Sequence, residues 1–456
     1  MKPMLRLARL LAALALATFA AVQPAAAQSI LRDAETEAVL RDMSRPLIEA
    51  AGLSPGNVKV VMVNDPSLNA FVAGGQIVFI NSGTIEQASN ANEVQGVIAH
   101  ELGHIVGGHV PLSDRMFAGA TGISILSLVL GIAAVAAGAG AAGAGILAAG
   151  QQAAIGKVLA FSRQQEASSD AAGVRFLDGA GVSGEGMLSF FKKTQALEYR
   201  YGLKRDEHSF FLSHPMSLDR ITTLDADVKA SPAYRKRNDP TLEERFRRVQ
   251  SKLVGYTHEP RDVLNRYPSS DQSLYAHYAR AYAQHRAGYP QEAAAEAAAL
   301  VKAEPDDPYF LELQGQIMLE SGNPRDAVGP LRRATEMTRN SPLIATLFGH
   351  ALLATDDPAL LPEAERVLRS AVQRDDDNPY AWMQLATVYE RTGDQPRLAL
   401  ANAERFNRVG DPGRALASAR AALAGLPKGT SDWIRAQDIL LVSQTAREDA
   451  GQRRRR

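Results

Sequence analysis

The stretch VIAHELGHIVGGH, Val97 to His109, holds three of the nine histidines of a 456-residue chain. Val94, Val97, Ile98, Leu102 and Ile105 recur at helical spacing, and Asn and Ser residues before them are available as caps. On such a helix His100 and His104 stand four residues apart and project from one face. That spacing suits two nitrogen ligands of one zinc ion. Glu101 sits beside the first ligand, reaches a water on the ion and is the natural general base. Ala99, Gly103, Gly107 and Gly108 are small, which lets other parts of the chain approach the helix closely.

A catalytic zinc needs a third protein ligand and one open position. Downstream, SRQQEASSDAAGVRF offers Glu166 and, four residues later, Asp170, on one face of a second helix. Taken alone, these are an ordinary solvated acidic face. Beside His-Glu-x-x-His, Glu166 completes a His, His, Glu set for one Zn2+ per chain. Asp170 can then hydrogen-bond the far nitrogen of a ligating histidine and fix its tautomer.

Around these motifs the chain reads as α+β, mostly α. Residues 28 to about 55 are helical in pattern. Two β-branched runs, 58–63 and 76–80, flank a Gly-containing connection, which predicts a hairpin or small sheet. Residues 116–156 contain no charged side chain, with an apolar core at 123–135. Two readings stand for this segment: a packed hairpin or loop beside the zinc helix, or an element that faces or enters a membrane.

After about Asn265 the chain becomes Ala-rich helix with an internal period. Pro308 and Pro342, Gly315 and Gly349, and Gly288 and Gly322 are each 34 residues apart. Ala281, Gly315, Gly349 and, after a three-residue displacement, Ala386 fall on one small position; Ala293 and Ala327 share another. Trp382, Leu385 and Tyr389 complete the fourth unit. The pattern is that of tetratricopeptide repeats, stacked helix pairs forming an α-solenoid. A fifth pair is expected over 395–426, with a final helix from Asp432.

The amino terminus reads as a signal peptide over residues 1–27. Lys2, Arg6 and Arg9 precede an apolar run at 10–22, and Ala25 and Ala27 offer a cleavage site. The mature chain then divides into 28–265 and a repeat domain at 266–456. There is no cysteine, so an exported chain gains nothing from disulfides. Formal net charge is zero, and no field points to nucleic acid. The run Arg453 to Arg456 reads as a solvated tail.

HELGHIVGGH, RQQEASSDAAG and the later SHPMSLDRI together resemble the zinc endopeptidases related to HtpX and the CAAX prenyl endopeptidase, over roughly Ala34 to Asp227. NAFVAGGQIVFINSG matches the family's strand before the zinc helix, whose edge binds substrate backbone. The resemblance implies a gluzincin-like peptidase fold, with His100, His104 and Glu166 as ligands and Glu101 as base. It implies that His214 and Arg220 steady the substrate carbonyl or transition state, or that His214 caps the zinc as a regulatory fourth ligand. His109 recurs in the motif and reads as local packing or a hydrogen-bond partner. Signal peptide, peptidase and repeats together are similar to periplasmic proteases that degrade stalled outer-membrane proteins and help others assemble. The expected partners are unfolded or stalled proteins, outer-membrane assembly machinery through the repeats, and a membrane surface through 116–156. The competing expectations are a chaperone or adaptor with a latent zinc site, and an integral membrane protease.

Overall fold

The structure, a computed structural model, describes residues 30–109, 162–201, 214 and 217–453. The expected signal peptide, the uncharged segment 116–156 and the tail beyond Arg453 lie outside the described residues. No described helix is long and apolar enough to cross a membrane.

Strand β1 (Ile30–Leu31) leads into helix α1 (Ala34–Ala50), whose first turn is capped by Asp33 accepting from Thr36 N at 2.8 Å. Then follow β2 (Lys59–Val63), β3 (Ala70–Ala73) and β4 (Ile77–Asn81). Among the described residues the sheet order is β1-β2-β4-β3. The two β-branched runs do pair, but in parallel, Lys59 opposite Ile77 and Val63 opposite Asn81. They are therefore not the two arms of one hairpin. The hairpin is β3–β4, closed by Gly74 and Gly75, both at positive φ, and β3 becomes an edge strand, with β1 at the opposite edge. The connection between the runs thus holds a strand of its own, since parallel neighbours cannot be joined by a tight turn.

Helix α2 (Ser82–Gln87) precedes α3 (Ala91–Val106), which carries the His-Glu-x-x-His motif. Asn90 caps α3 by accepting from Glu93 N at 3.0 Å, and Glu93 accepts in turn from Ser89 N at 2.7 Å. Every residue from Ala91 to His104 is buried, so α3 is the central rod of the unit. Around it pack α4 (residues 162–179), α5 (Glu185–Tyr201), α6 (Leu218–Ala230) and α7 (Pro240–Thr257). Glycine permits the tightest crossings. A Cβ on Gly96 would stand 2.4 Å from Met187 Cα in α5, and one on Gly103 would stand 2.8 Å from Ser169 Cα in α4.

The repeat region follows α8 (Pro260–Arg266). It consists of α9 (Leu274–Arg286), α10 (Pro290–Ala303), α11 (Pro308–Glu320), α12 (Pro324–Met337), α13 (Pro342–Ala354), α14 (Leu361–Arg374), α15 (Pro379–Thr392), α16 (Gln395–Arg408), α17 (Pro412–Gly425) and α18 (Ser431–Arg453). Most of these helices begin with proline at N1 or N2, where its missing N–H costs nothing. The small position of the 34-residue period is where paired helices meet. A Cβ on Gly315 would lie 2.4 Å from Leu331 Cγ, and one on Gly349 would lie 2.5 Å from Leu368 Cγ. The phase differs from expectation at the end. By the spacing of the earlier pairs, α16 is the second helix of the fourth unit, and the fifth pair is α17 with α18 rather than 395–426. The last unit keeps a proline at its start, Pro412, and a glycine between its helices, Gly429, but these stand 33 and 36 residues after Pro379 and Gly393 rather than 34.

The two regions share buried contacts. Ala34 packs with Leu311, Ala334 and Ile344. The carboxylate of Glu35 accepts from Tyr278 Oη at 2.6 Å and lies 3.2 Å from Arg248 Nη2, which also reaches Asp307 at 2.8 Å. Buried Lys252 pairs with Asp33 at 2.5 Å. Removing one partner of such a network leaves an uncompensated charge, at a cost of about 3–5 kcal/mol.

The crossing at Gly96 leaves no room for a side chain, so Gly96→Val should lower unfolding stability by about 3 kcal/mol, read as a shift in the urea midpoint. An unchanged midpoint would mean that α3 and α5 do not cross this closely.

Candidate metal centre

The motif helix holds His100 and His104 on one face, and α4 brings Glu166 to them. His100 Nε2 lies 3.1 Å from His104 Nε2, and oxygens of Glu166 lie 3.3 and 3.5 Å from those two nitrogens. His214, which precedes α6, completes the cluster. Its Nδ1 is 3.2 Å from His100 Nε2 and 3.1 Å from Glu166 Oε2. Ligand atoms of the four residues all fall within 4.8 Å of one another, and all four residues are buried.

This geometry fits a zinc ion. Ligands about 2.0–2.1 Å from a tetrahedral centre are separated from one another by about 3.3 Å, close to the spacings here. Imidazole and carboxylate are its usual donors. His100 Nδ1 faces Asp170 and His104 Nδ1 faces His109, so the two Nε2 atoms face each other across the cluster. Two opposed lone pairs beside a carboxylate repel, and a cation relieves them.

The surrounding residues hold the donors in place. His100 Nδ1 stands 2.9 Å from Asp170 Oδ1. Arg220, near the start of α6, donates from Nε and Nη2 to the two oxygens of Asp170, each at 2.8 Å, and its Nη1 lies 3.0 Å from Glu166 Oε2. One guanidinium therefore clamps two carboxylates of α4, a bidentate geometry that lysine cannot copy. Glu101 lies 1 % exposed beside the cluster, with Oε1 3.3 Å from His214 Nε2.

Electrostatics follow from burial and these pairs. Burial pushes His100 down, but hydrogen bonds and charge from Asp170 and Glu166 outweigh it and bring the ring up to about 9. Burial pushes His104 down to about 2, and the charges of His100 and His214 act in the same direction. Burial raises the Glu101 carboxyl above its usual range, with His214 and His100 opposing. Against a burial cost, His214 and His100 hold Glu166 well below the usual range, and His100 and Arg220 hold Asp170 below it.

The structure gathers every residue that the motifs marked: His100, Glu101, His104, Glu166, Asp170, His214 and Arg220. Phe191 was not foreseen. Its ring meets the His100 imidazole edge-on at 5.3 Å, with Arg220 over it at 5.6 Å. Nothing in its sequence context separates it from an ordinary core phenylalanine. Arg220 differs from expectation in what it touches, for its guanidinium is engaged by Asp170 and Glu166.

Residues 31–228 match Peptidase family M48. The beta-barrel assembly-enhancing protease of Escherichia coli is 24% identical over 364 residues, covering 76% of this chain and 71% of its own length. The protein of the same name from Yersinia pestis is 24% identical and covers 81% of this chain and 76% of its own. The metalloprotease LoiP of Escherichia coli is 32% identical over 36% of this chain and 60% of its own. The chain carries a zinc-dependent metalloprotease domain, similar to Peptidase family M48 over residues 31–228, joined to an array of tetratricopeptide-like helical repeats.

Purified protein should bind one zinc per chain. Asp170→Asn should keep that stoichiometry at saturating zinc but lose about 10–100-fold in affinity, measured by competition with a chromophoric chelator. Equal affinity would show that Asp170 does not orient His100.

Proposed function

We propose that this chain is a periplasmic zinc endopeptidase that cleaves misfolded or stalled outer-membrane proteins. The observation that carries the reading is a buried His100, His104 and Glu166 cluster with the Glu101 carboxylate beside it. In this reading residues 1–27 are a signal peptide, 28–265 the peptidase and 266–456 a repeat domain that presents clients or contacts the assembly machinery. The names of the relatives support an outer-membrane role. Residues 116–156 are the segment proposed to meet the membrane surface.

His100, His104 and Glu166 would hold the zinc ion, which supplies Lewis acidity toward a water and a peptide carbonyl. Glu101 takes the proton of the attacking water as the oxygen–carbon bond forms. It returns that proton to the departing amine as the carbon–nitrogen bond breaks. Its burial raises its basicity toward the range that such shuttling needs. Asp170 orients His100. Arg220 acts through Asp170 and Glu166 as a positioning residue rather than by touching substrate.

His214 decides how active the resting enzyme is. Its Nδ1 stands at ligand spacing from His100 and Glu166, and its Nε2 is close to Glu101. That favours a regulatory fourth ligand, closing the position that water and carbonyl require. A chaperone or adaptor with a latent zinc site is the second reading, and the same His214 geometry favours it.

Degradation of unfolded casein, with zinc content measured in each protein, separates these readings. Glu101→Gln should keep its zinc and lose cleavage by at least about a hundredfold. His214→Ala should cleave faster than the wild type. A wild type that holds zinc and stays inert alongside an inert His214→Ala would favour the latent site, and a chain without zinc would refute both readings.

A further inference from the structure

The far nitrogen of His104 faces another histidine. His104 Nδ1 lies 2.9 Å from His109 Nδ1, and both rings are buried. A hydrogen bond between two imidazole nitrogens needs one protonated and one bare. The neighbouring serines determine which. Ser168 Oγ donates to the Gln165 carbonyl at 2.9 Å, so only its lone pairs remain for His109 Nε2, 3.3 Å away. His109 Nε2 therefore carries the proton and His109 Nδ1 is bare, flanked also by Ser169 Oγ at 3.2 Å. It follows that His104 Nδ1 donates to His109, and that His104 Nε2 presents its lone pair to the cluster.

Local backbone makes this possible. The chain leaves α3 through Gly107 and Gly108, the latter at φ +62°. A Cβ on Gly107 would stand 2.2 Å from His109 Nε2. The glycine pair lets the His109 ring fold back over the end of its own helix. Gln165 also donates from Nε2 to the His109 carbonyl at 3.2 Å, pinning the residue from α4.

We propose that His109 is a positioning residue that locks His104 into its Nδ1-protonated tautomer, through a chain running from the Gln165 carbonyl by way of Ser168 and His109. The proposal rests on the metal-centre reading above. Helix α4 would thus orient both histidine ligands, His100 directly through Asp170 and His104 through His109, while supplying Glu166 itself.

The test is zinc affinity by chelator competition for the wild type, His109→Ala, His109→Asn and Gly107→Ala, with melting of each metal-free protein. An Asn amide oxygen sits where Nδ1 stands and accepts from His104. His109→Ala should weaken zinc about 10–100-fold, with metal-free melting unchanged. His109→Asn should restore most of that loss, and Gly107→Ala, which displaces the ring, should weaken zinc in the same direction. If His109→Ala does not fold, the contrast between the Asn and Gly107 variants decides. Wild-type affinity in His109→Ala, or an Asn variant as weak as the Ala variant, overturns the role. A wild type that binds no zinc overturns the metal centre, and this inference with it.

Discussion

The site depends on one close approach, the crossing of α3 and α4 at Gly103 and Ser169. Two helix backbones can come this near only where one of them lacks a Cβ. The crossing at Gly103 sets where α4 places Glu166 relative to the histidine nitrogens of α3. The glycine inside the motif is therefore as much a part of the metal geometry as the histidines. Gly173 on α4 extends the same contact toward the backbone of Ala99 and His100.

Close approach also forces charge out of water. His100, Glu101, Glu166, Asp170, His214 and Arg220 are all less than 10 % exposed. Isolated, each would cost several kcal/mol to bury. Together they form a network in which a single guanidinium serves two carboxylates. Breaking it removes ligand orientation and charge balance at once, so effects of substitutions here will not add.

The same use of small residues recurs in the repeats, where Gly315 and Gly349 admit leucines of the following helix. The array is not a free appendage. Glu35, near the start of α1, is held by Tyr278, Arg248 and Lys252, and Arg248 reaches on to Asp307. Helix α1 in turn packs within the core that surrounds α3. Rigid chains of buried contacts thus run from the repeats to the metal helix.

The sequence by itself determined the candidate ligands. Helical periodicity fixes which face His100 and His104 share, and the spacing of Glu166 and Asp170 places both on one face of another helix. It also determined the repeat phase where proline and glycine recur 34 residues apart, and lost it in the last unit, where Pro412 and Gly429 stand off that interval. Residue spacing describes only contacts within one element or between copies of a repeat. What sits across a crossing has no signature of that kind. The parallel pairing of β2 with β4, the clamp of Arg220 on two carboxylates, Phe191 against His100, and the direction of the proton chain through His109 were decided by the tertiary structure alone. Each joins residues whose separation along the chain is set by connections that bear no fixed relation to their distance in space.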